Sequence, residues 1–420
     1  LELNNHKYVY DKFGGNSFWV RDFDQQGFYY TEKDSLGLID NDYPPLFPVD
    51  DNFADLVASF YGYPVLPTQV ELVGGNFMTD GYGTGFYSDA IYKNNMDSLG
   101  YSYEQKDPMT EDQVNQFMSF YYKLHQIFIF PRLQCDNGSG NIDNYLKCID
   151  EETILTNYYS PNFNNVDFPD YVTASNSIKS IVNTNSTYGR PFKIKYVQLP
   201  NTDEGQELPN KCDLFANNPR SYVNGLLVNK SYIYPSYSDD ASGDTKGDLA
   251  AKEVLQKQLP GYKLVPLDSR LLNQYGGSLH RVAMPLPSRN PAKIWHPSFE
   301  GFYAPQNEFK FIAKVLNKNG AKSATLVYRK NGGDWNTVPM TLNGEQFEYV
   351  LAGSSLVDGD VVDYYIQGET NTGKITMKPF TAPKGFITFK IGTTGVNEDD
   401  YAALSAINSI YPNPASDMIN

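Results

Sequence analysis

The texture of the chain changes at about residue 296, and that change limits the folds open to it. From there to about residue 393, seven short runs recur at close, fairly even spacing: FKFIAKV, SATLVYRK, WNTVPMTL, FEYVL, VVDYYIQG, ITMK and FITFKI. Asn-Gly, Gly-Gly and Asp-Gly pairs separate them, and such pairs supply the positive φ that tight hairpin turns need. Short strands at this density predict two sheets packed face to face. Residues 1–295 lack that regularity. FADLVASFYGY (53–63) and MTEDQVNQFMSFYYKLHQIF (109–128) carry helical spacing, whereas NYLKCI, TILTNYY, FKIKYVQL and LHRVAM read as strands. The expected plan is an α/β or α+β unit, then an all-β sandwich over 296–393, then a polar linker over 394–403.

The chain has 420 residues, room for two or three units, and its 40% hydrophobic and 20% charged residues supply the apolar surface that their cores require. Its 33 Tyr outnumber its 25 Phe, which suits strands. Acidic residues (49) exceed basic ones (34), giving a net charge of -15, and no basic cluster could follow a phosphate backbone, so nucleic acid is disfavoured as a partner. No run of about 18 apolar residues offers a transmembrane helix. The start at Leu1, without an initiator Met or an apolar leader, fits a processed or a partial chain, and a removed signal peptide would leave no trace here. Cys135, Cys148 and Cys212 lack C-x-x-C spacing, which argues against zinc and thioredoxin-like chemistry. One disulfide with a free thiol, Cys135 to Cys148 being the shortest loop, and three buried thiols are both open readings.

Four segments hold the candidate site: WVRDF (19–23), LVGGNFMTDGYGTGF (72–86), GSGNIDNYLKCIDEETIL (138–155) and YGGSLHRVAMPLP (275–287). In the last, a Gly-Gly pair lets the backbone turn or approach closely. It leads into a short apolar run that carries His280 and a full cation, Arg281. Singly, each segment has an ordinary reading: a surface Arg-Asp pair, a hairpin turn, Asp143 as a cap before a strand. DNGSGNID (136–143) is rich in oxygen donors but lacks EF-hand spacing and its closing Glu, so no metal is expected.

In this order along one chain, the four segments resemble the guanidino-modifying pentein superfamily, specifically agmatine deiminases and bacterial peptidylarginine deiminases. The resemblance covers about residues 15–287, with 190–265 poorly matched. Such proteins run W-x-R-D, then G-G-N, then G-H-x-D followed by a strand such as W-x-K-x-x-D, then G-G-x-x-H-C. The resemblance implies an α/β propeller of about five ββαβ-type units around a central pocket, needing no cofactor. It also implies a chemistry: two carboxylates grip a planar guanidinium, a Cys thiolate attacks its central carbon, and a His protonates departing ammonia and then activates water. Asp22 matches the first carboxylate and Asp143 the second. The family His falls on Asn141 and the family Cys on Arg281. An amide cannot cycle a proton, and a guanidinium is neither a nucleophile nor able to lose its charge.

The expectation is therefore a plugged site, in which Arg281 places its own guanidinium between Asp22 and Asp143. Two other readings stand beside it: Arg281 pointing to solvent from an edge strand, and a shifted alignment that hides another nucleophile. Cys148, five residues after Asp143, would face the opposite side of a strand, and Cys135 precedes the Gly-rich turn.

The sandwich segment Tyr328–Gly368 resembles immunoglobulin-like or fibronectin-like modules appended to secreted bacterial enzymes. YPNPASD (411–417), within residues 404–420, resembles the opening of the C-terminal sorting domain of proteins exported by the type IX secretion system. That resemblance implies export across the outer membrane, with the type IX machinery and then a cell-surface complex as partners. Asp34-Ser35-Leu36 and Asp97-Ser98-Leu99 match a three-residue O-glycosylation signal of such bacteria, a pattern short enough to recur by chance. The expected function is a secreted or cell-surface pseudo-deiminase; the alternatives are an active deiminase and an adhesin or glycan binder working through the sandwich.

Overall fold

The computed structural model describes residues 17–23, 26–30, 34–43, 48–96, 107–135, 140–203, 205–206, 220–238 and 246–392. Cys212, the Asp97–Leu99 signal, residues 136–139, the 394–403 linker and the YPNPASD motif lie outside them.

The first unit repeats one pattern four times. Its three-stranded sheets are Gln26–Tyr30, Ser35–Asp42 and Val65–Glu71; Met78–Thr79, Thr84–Ser88 and Gln126–Phe130; Leu146–Cys148, Thr153–Tyr158 and Lys193–Gln198; and Leu226–Val228, Ser231–Ser236 and Lys263–Asp268. In each, the first two strands are antiparallel and the last two parallel. Parallel neighbours cannot be joined by a tight turn. The crossovers are accordingly helical: Phe53–Tyr61, then Ala90–Met96 with Glu111–Tyr122, then Pro169–Ile181, then Asp248–Gln258. Four ββαβ repeats are thus present among the described residues, against the five or so expected.

The helical pattern read over 109–128 covers two elements. Thr110 opens the helix with a reciprocal cap, its hydroxyl accepting from Gln113 N at 3.2 Å while Gln113 accepts from Thr110 N at 2.8 Å. Lys123 ends it in the left-handed region at φ 56, and Gln126–Phe130 then pairs with Thr84–Ser88. Pairing decides the assignment, since periodicity alone cannot separate a short apolar strand from a helix end.

A short helical turn precedes each of the first three repeats: Val20–Phe23, Gly74–Asn76 and Ile142–Asn144. A fourth turn, Leu279–Val282, follows the last repeat. The first packs on the second and the fourth, and the second packs on the third, so the repeats bring their leading turns to one place.

Among the described residues from Lys293 onward, all regular structure is β apart from one short turn. Four strands form one sheet and six the other, and Phe309, Phe311, Leu326, Phe347, Tyr364 and Phe389 fill the space between them. WNTVPMTL divides: Asn336–Pro339 joins one sheet and Thr341–Asn343 the other, with the buried Met340 donating its N–H to Ala324 O between them. Lys293–Trp295 pairs with Glu308–Leu316 and so belongs to the sandwich.

Buried charge fastens the sandwich to the third repeat. Lys378 Nζ lies 2.6 Å from Glu151 Oε1, both side chains less than a tenth exposed. Burial works against the Lys378 charge, yet Asp150 and Glu151 hold its pKa above the ordinary value. Glu152 accepts from Arg190 at 2.7 and 2.8 Å, from Lys193 at 2.8 Å and from Ser298 at 3.2 Å. Removing one partner of such a pair strands the other charge away from water. Lys378→Ala is therefore expected to lower unfolding stability by about 3–5 kcal/mol, a range typical of broken buried pairs, as read by urea denaturation; a loss below ~1 kcal/mol would show the junction to be solvated.

Candidate functional site

The converging turns assemble the site. Gly74 and Gly75 are needed for close approach: a Cβ on Gly74 would sit 1.9 Å from Arg21 O, and one on Gly75 would sit 2.8 Å from Asn141 Oδ1. Asn76, which completes the GGN motif, accepts from Ser88 N at 2.8 Å and fixes its turn to the second sheet. Gly277 lies against Trp19, where a Cβ would be 2.5 Å from the ring.

The stretch LHRVAM, read from the sequence as a strand, is a 3₁₀ turn at Leu279–Val282. Arg281 N donates to Ser278 O at 3.1 Å, and Gly276 sits at φ +88 just before it. The difference governs the chemistry. Successive side chains of a strand point to opposite faces, whereas this turn brings both His280 and Arg281 to Asp143. His280 Nδ1 is 2.9 Å from Asp143 Oδ2, and Arg281 Nε is 3.6 Å from Asp143 Oδ1. Arg281 Nη1 also donates to Gly276 O at 3.2 Å. The solvent-facing alternative is overturned, because Arg281 is only 6% exposed and Asp143 is fully buried.

All four residues singled out in the sequence meet here. Asp22 and Arg281 interact electrostatically, as do Asp22 and Asp143, and Asn141 lies on the adjoining turn, fully buried against Gly75. The two carboxyls differ in state. Burial would raise Asp143, but the Arg281 and His280 contacts outweigh it and hold its pKa at about 2. Burial pushes Asp22 up to about 7, with Arg281 opposing and Asp143 adding to the rise. The guanidinium is thus balanced by one full carboxylate and a second carboxyl that burial drives toward its protonated form, rather than by two equal carboxylates.

Three residues of the site, Arg21, Asn224 and Lys147, were not singled out, and His280 was named without a role. Arg21 Nε donates to His280 O at 3.1 Å and its Nη2 to Ala283 O at 2.6 Å, holding the last turn in place. Asn224 donates to Asp143 O at 3.2 Å and accepts from His280 N at 3.1 Å. Lys147 is buried, which brings its pKa down to about 7 despite Asp143. His280 is kept neutral by burial, with Arg21 and Lys147 adding to that effect. Arg21 and Lys147 had a signal, since both stand in motif segments; Asn224 had none, lying in the poorly matched stretch. Of the cysteines, Cys135 is disulfide-bonded and Cys148 is free, so the short Cys135–Cys148 loop does not form. Burial pushes the Cys148 thiol far above its ordinary range, away from a reactive thiolate.

Removing the guanidinium would leave Asp143 buried with weaker partners. Arg281→Ala is expected to cost about 3–5 kcal/mol, against under ~0.5 kcal/mol for the exposed Arg270→Ala; equal thermal melting of the two variants would show that Arg281 does not fill a charged site. Asp22 gives a pH signature. Its folded pKa lies above the 3.8 of an ordinary Asp, so the folded chain binds more protons between 3.8 and about 7, and Asp22 withdraws stability as pH rises through that window. Asp143 does the reverse, its contribution being lost as pH falls from 3.8 toward about 2. Relative to the parent, Asp22→Asn should gain Tm steadily between those first two values; a constant difference would place Asp22 in an ordinary carboxylate state.

A family model of the Porphyromonas-type peptidyl-arginine deiminases matches residues 8–287. The agmatine deiminase of Pseudomonas syringae pv. tomato is 26% identical over 232 residues, 52% of this chain and 57% of that protein. The agmatine deiminase of Pseudomonas fluorescens is 23% identical over 231 residues, 52% of this chain and 57% of that one. The chain spans about three fifths of the length of the curated relatives it matches. A crystal structure described as a "putative peptidyl-arginine deiminase" superposes with a TM-score of 0.52 at 20% identity, covering 66% of this chain and 77% of that one. This last likeness is one of fold.

Proposed function

Because the chain belongs to the Porphyromonas-type peptidyl-arginine deiminase family, we propose that it is a pseudo-deiminase, whose guanidinium site is filled by its own Arg281. The observation that carries this reading is the placement of Arg281. It stands where the family motif calls for the nucleophilic Cys, and its guanidinium lies buried beside Asp143, the residue that matches a substrate-gripping carboxylate. Asn141, at the position of the family's proton-transferring His, can neither accept nor return a proton near neutral pH.

Among the described residues, none near the site supplies the missing chemistry. His280 is neutral, but its Nδ1 is engaged by Asp143. Cys148 is a buried thiol, and Cys135 is in a disulfide. An external guanidinium would have to displace a cation tethered within the same chain, at an effective concentration no free ligand matches.

The proposal assigns the protein a binding or assembly role after export, at the cell surface and in contact with the type IX outer-membrane machinery. The support for that part is the YPNPASD motif in the sequence. Net charge -15 and the lack, among the described residues, of a helix long and apolar enough to cross a membrane fit such a role without requiring it.

The test is release of citrulline and ammonia from arginine peptides and of ammonia from agmatine, comparing the parent with Asn141→His/Arg281→Cys. No turnover is expected from the parent, and activity in the double variant would show that Asn141 and Arg281 hold the positions of the lost groups. Turnover by the parent would overturn the proposal and make the chain an enzyme with a different nucleophile.

A further inference from the structure

A separate cavity lies on the third repeat. The helix Pro169–Ile181 and the segment that runs on from Tyr158 enclose about 330 Å3, at the lower end of the ~300–1,000 Å3 usual for small-molecule sites. Its walls are aromatic: Tyr171 meets Tyr159 at 5.5 Å and Phe163 at 5.4 Å between ring centroids.

One stripe of the helix completes the lining. Tyr171, Ser175, Asn176 and Lys179 face the cavity at the spacing of successive helical turns. On the other faces, Thr173 and Ser177 return their hydroxyls to the helix, bonding Pro169 O at 3.0 Å and Thr173 O at 2.9 Å. Ser175 and Asn176 side chains bond to no protein group among the described residues. Tyr159 is set in place by Asn157, whose amide donates to its hydroxyl at 3.2 Å; the Tyr159 proton remains available to another acceptor. Asn157 is itself held by Asn144 O at 3.0 Å and by the Ser221 hydroxyl at 3.1 Å, so this part of the lining is rigid.

Aromatic faces beside uncommitted hydroxyl and amide groups match the two-sided chemistry of a sugar. The C–H face of a pyranose packs on rings, and its hydroxyls exchange hydrogen bonds around its edge. Lys179 is the one charged residue of the lining, and its ammonium at the rim favours a ring that carries a carboxylate, against the net charge of -15 of the chain as a whole. We propose that this cavity binds an acidic sugar, a uronic acid unit of a larger glycan. The inference does not depend on the pseudo-deiminase reading, because Arg281 and Asp22 do not line this cavity.

The experiment is a titration of the full chain with D-glucuronate, D-glucose and benzoate, followed by saturation-transfer NMR. Glucuronate is expected to bind, with glucose about fivefold weaker, the size of one exposed charge contact. Lys179→Ala should remove the difference between the two sugars. Ser175→Leu, at a half-buried helix position, fills the space and should abolish sugar binding while thermal melting stays at the parent value. Absence of binding by both sugars, equal binding of the two, benzoate binding more tightly than glucuronate, or sugar binding that survives Ser175→Leu would each overturn the assignment. Agmatine should not compete with glucuronate, and this holds whether or not the chain proves to deiminate.

Discussion

Asp143 is a carboxylate with no access to water, and the centre of the first unit is arranged around keeping its charge. An isolated ion in that position would be costly beyond anything the surrounding packing could offset. Its charge is met by His280 and Arg281 from the turn after the fourth repeat and by Lys147 from the strand that follows it, while Asn224, from the segment before the fourth repeat, holds the Asp143 backbone carbonyl. Arg21 in turn holds the His280 backbone. Contacts this distant in sequence require each repeat to be folded and its leading turn delivered. The charge and the architecture therefore depend on each other.

The order of the motifs made the fold family legible from the sequence, and it pointed to the meeting of Asp22, Asn141, Asp143 and Arg281. What could not be read was the state of those groups, because a sequence does not state burial. Asp22 looked like a carboxylate equal to Asp143; desolvation makes it the weaker acid by several pKa units. LHRVAM looked like a strand because it is a short, mostly apolar run, and a run of six cannot separate period 2 from a single tight turn. The Gly276-Gly277 pair was the local signal of that turn, and its meaning depended on a distant ring, Trp19. The break after Lys123 was likewise set by pairing with a strand some forty residues earlier, outside any local window.

The junction with the sandwich repeats the same physical device. Asp150, Glu151 and Glu152 form an acidic run that, read alone, would be a solvated turn. In the fold Glu151 and Glu152 are buried, and the run is met by Arg190 and Lys193 from its own repeat and by Lys378 from the sandwich. Carboxylates on one segment and cations on another fix which surfaces meet, since any other docking strands a charge. The seven apolar runs announced the sandwich; nothing in them announced where it would dock.

On the proposed pseudo-deiminase reading, the pairing at the first site keeps carboxylates suited to gripping a substrate in place without any need for catalysis. With Arg281 in place, Asp143 can no longer be replaced by a neutral residue without leaving a buried guanidinium short of its counter-charge, and Arg281 cannot be replaced without exposing the reverse problem. Asp22, by taking up a proton, adjusts the charge of the cluster without either change. A single substitution at either end of the Asp143–Arg281 pair is penalised for reasons of folding alone. Retention of the gripping residues is therefore no sign of turnover. The informative positions are the ones where the charge logic is indifferent but the chemistry is not, Asn141 foremost among them: a fully buried amide, neutral at every ordinary pH, at the one place where a deiminase needs a group that exchanges protons.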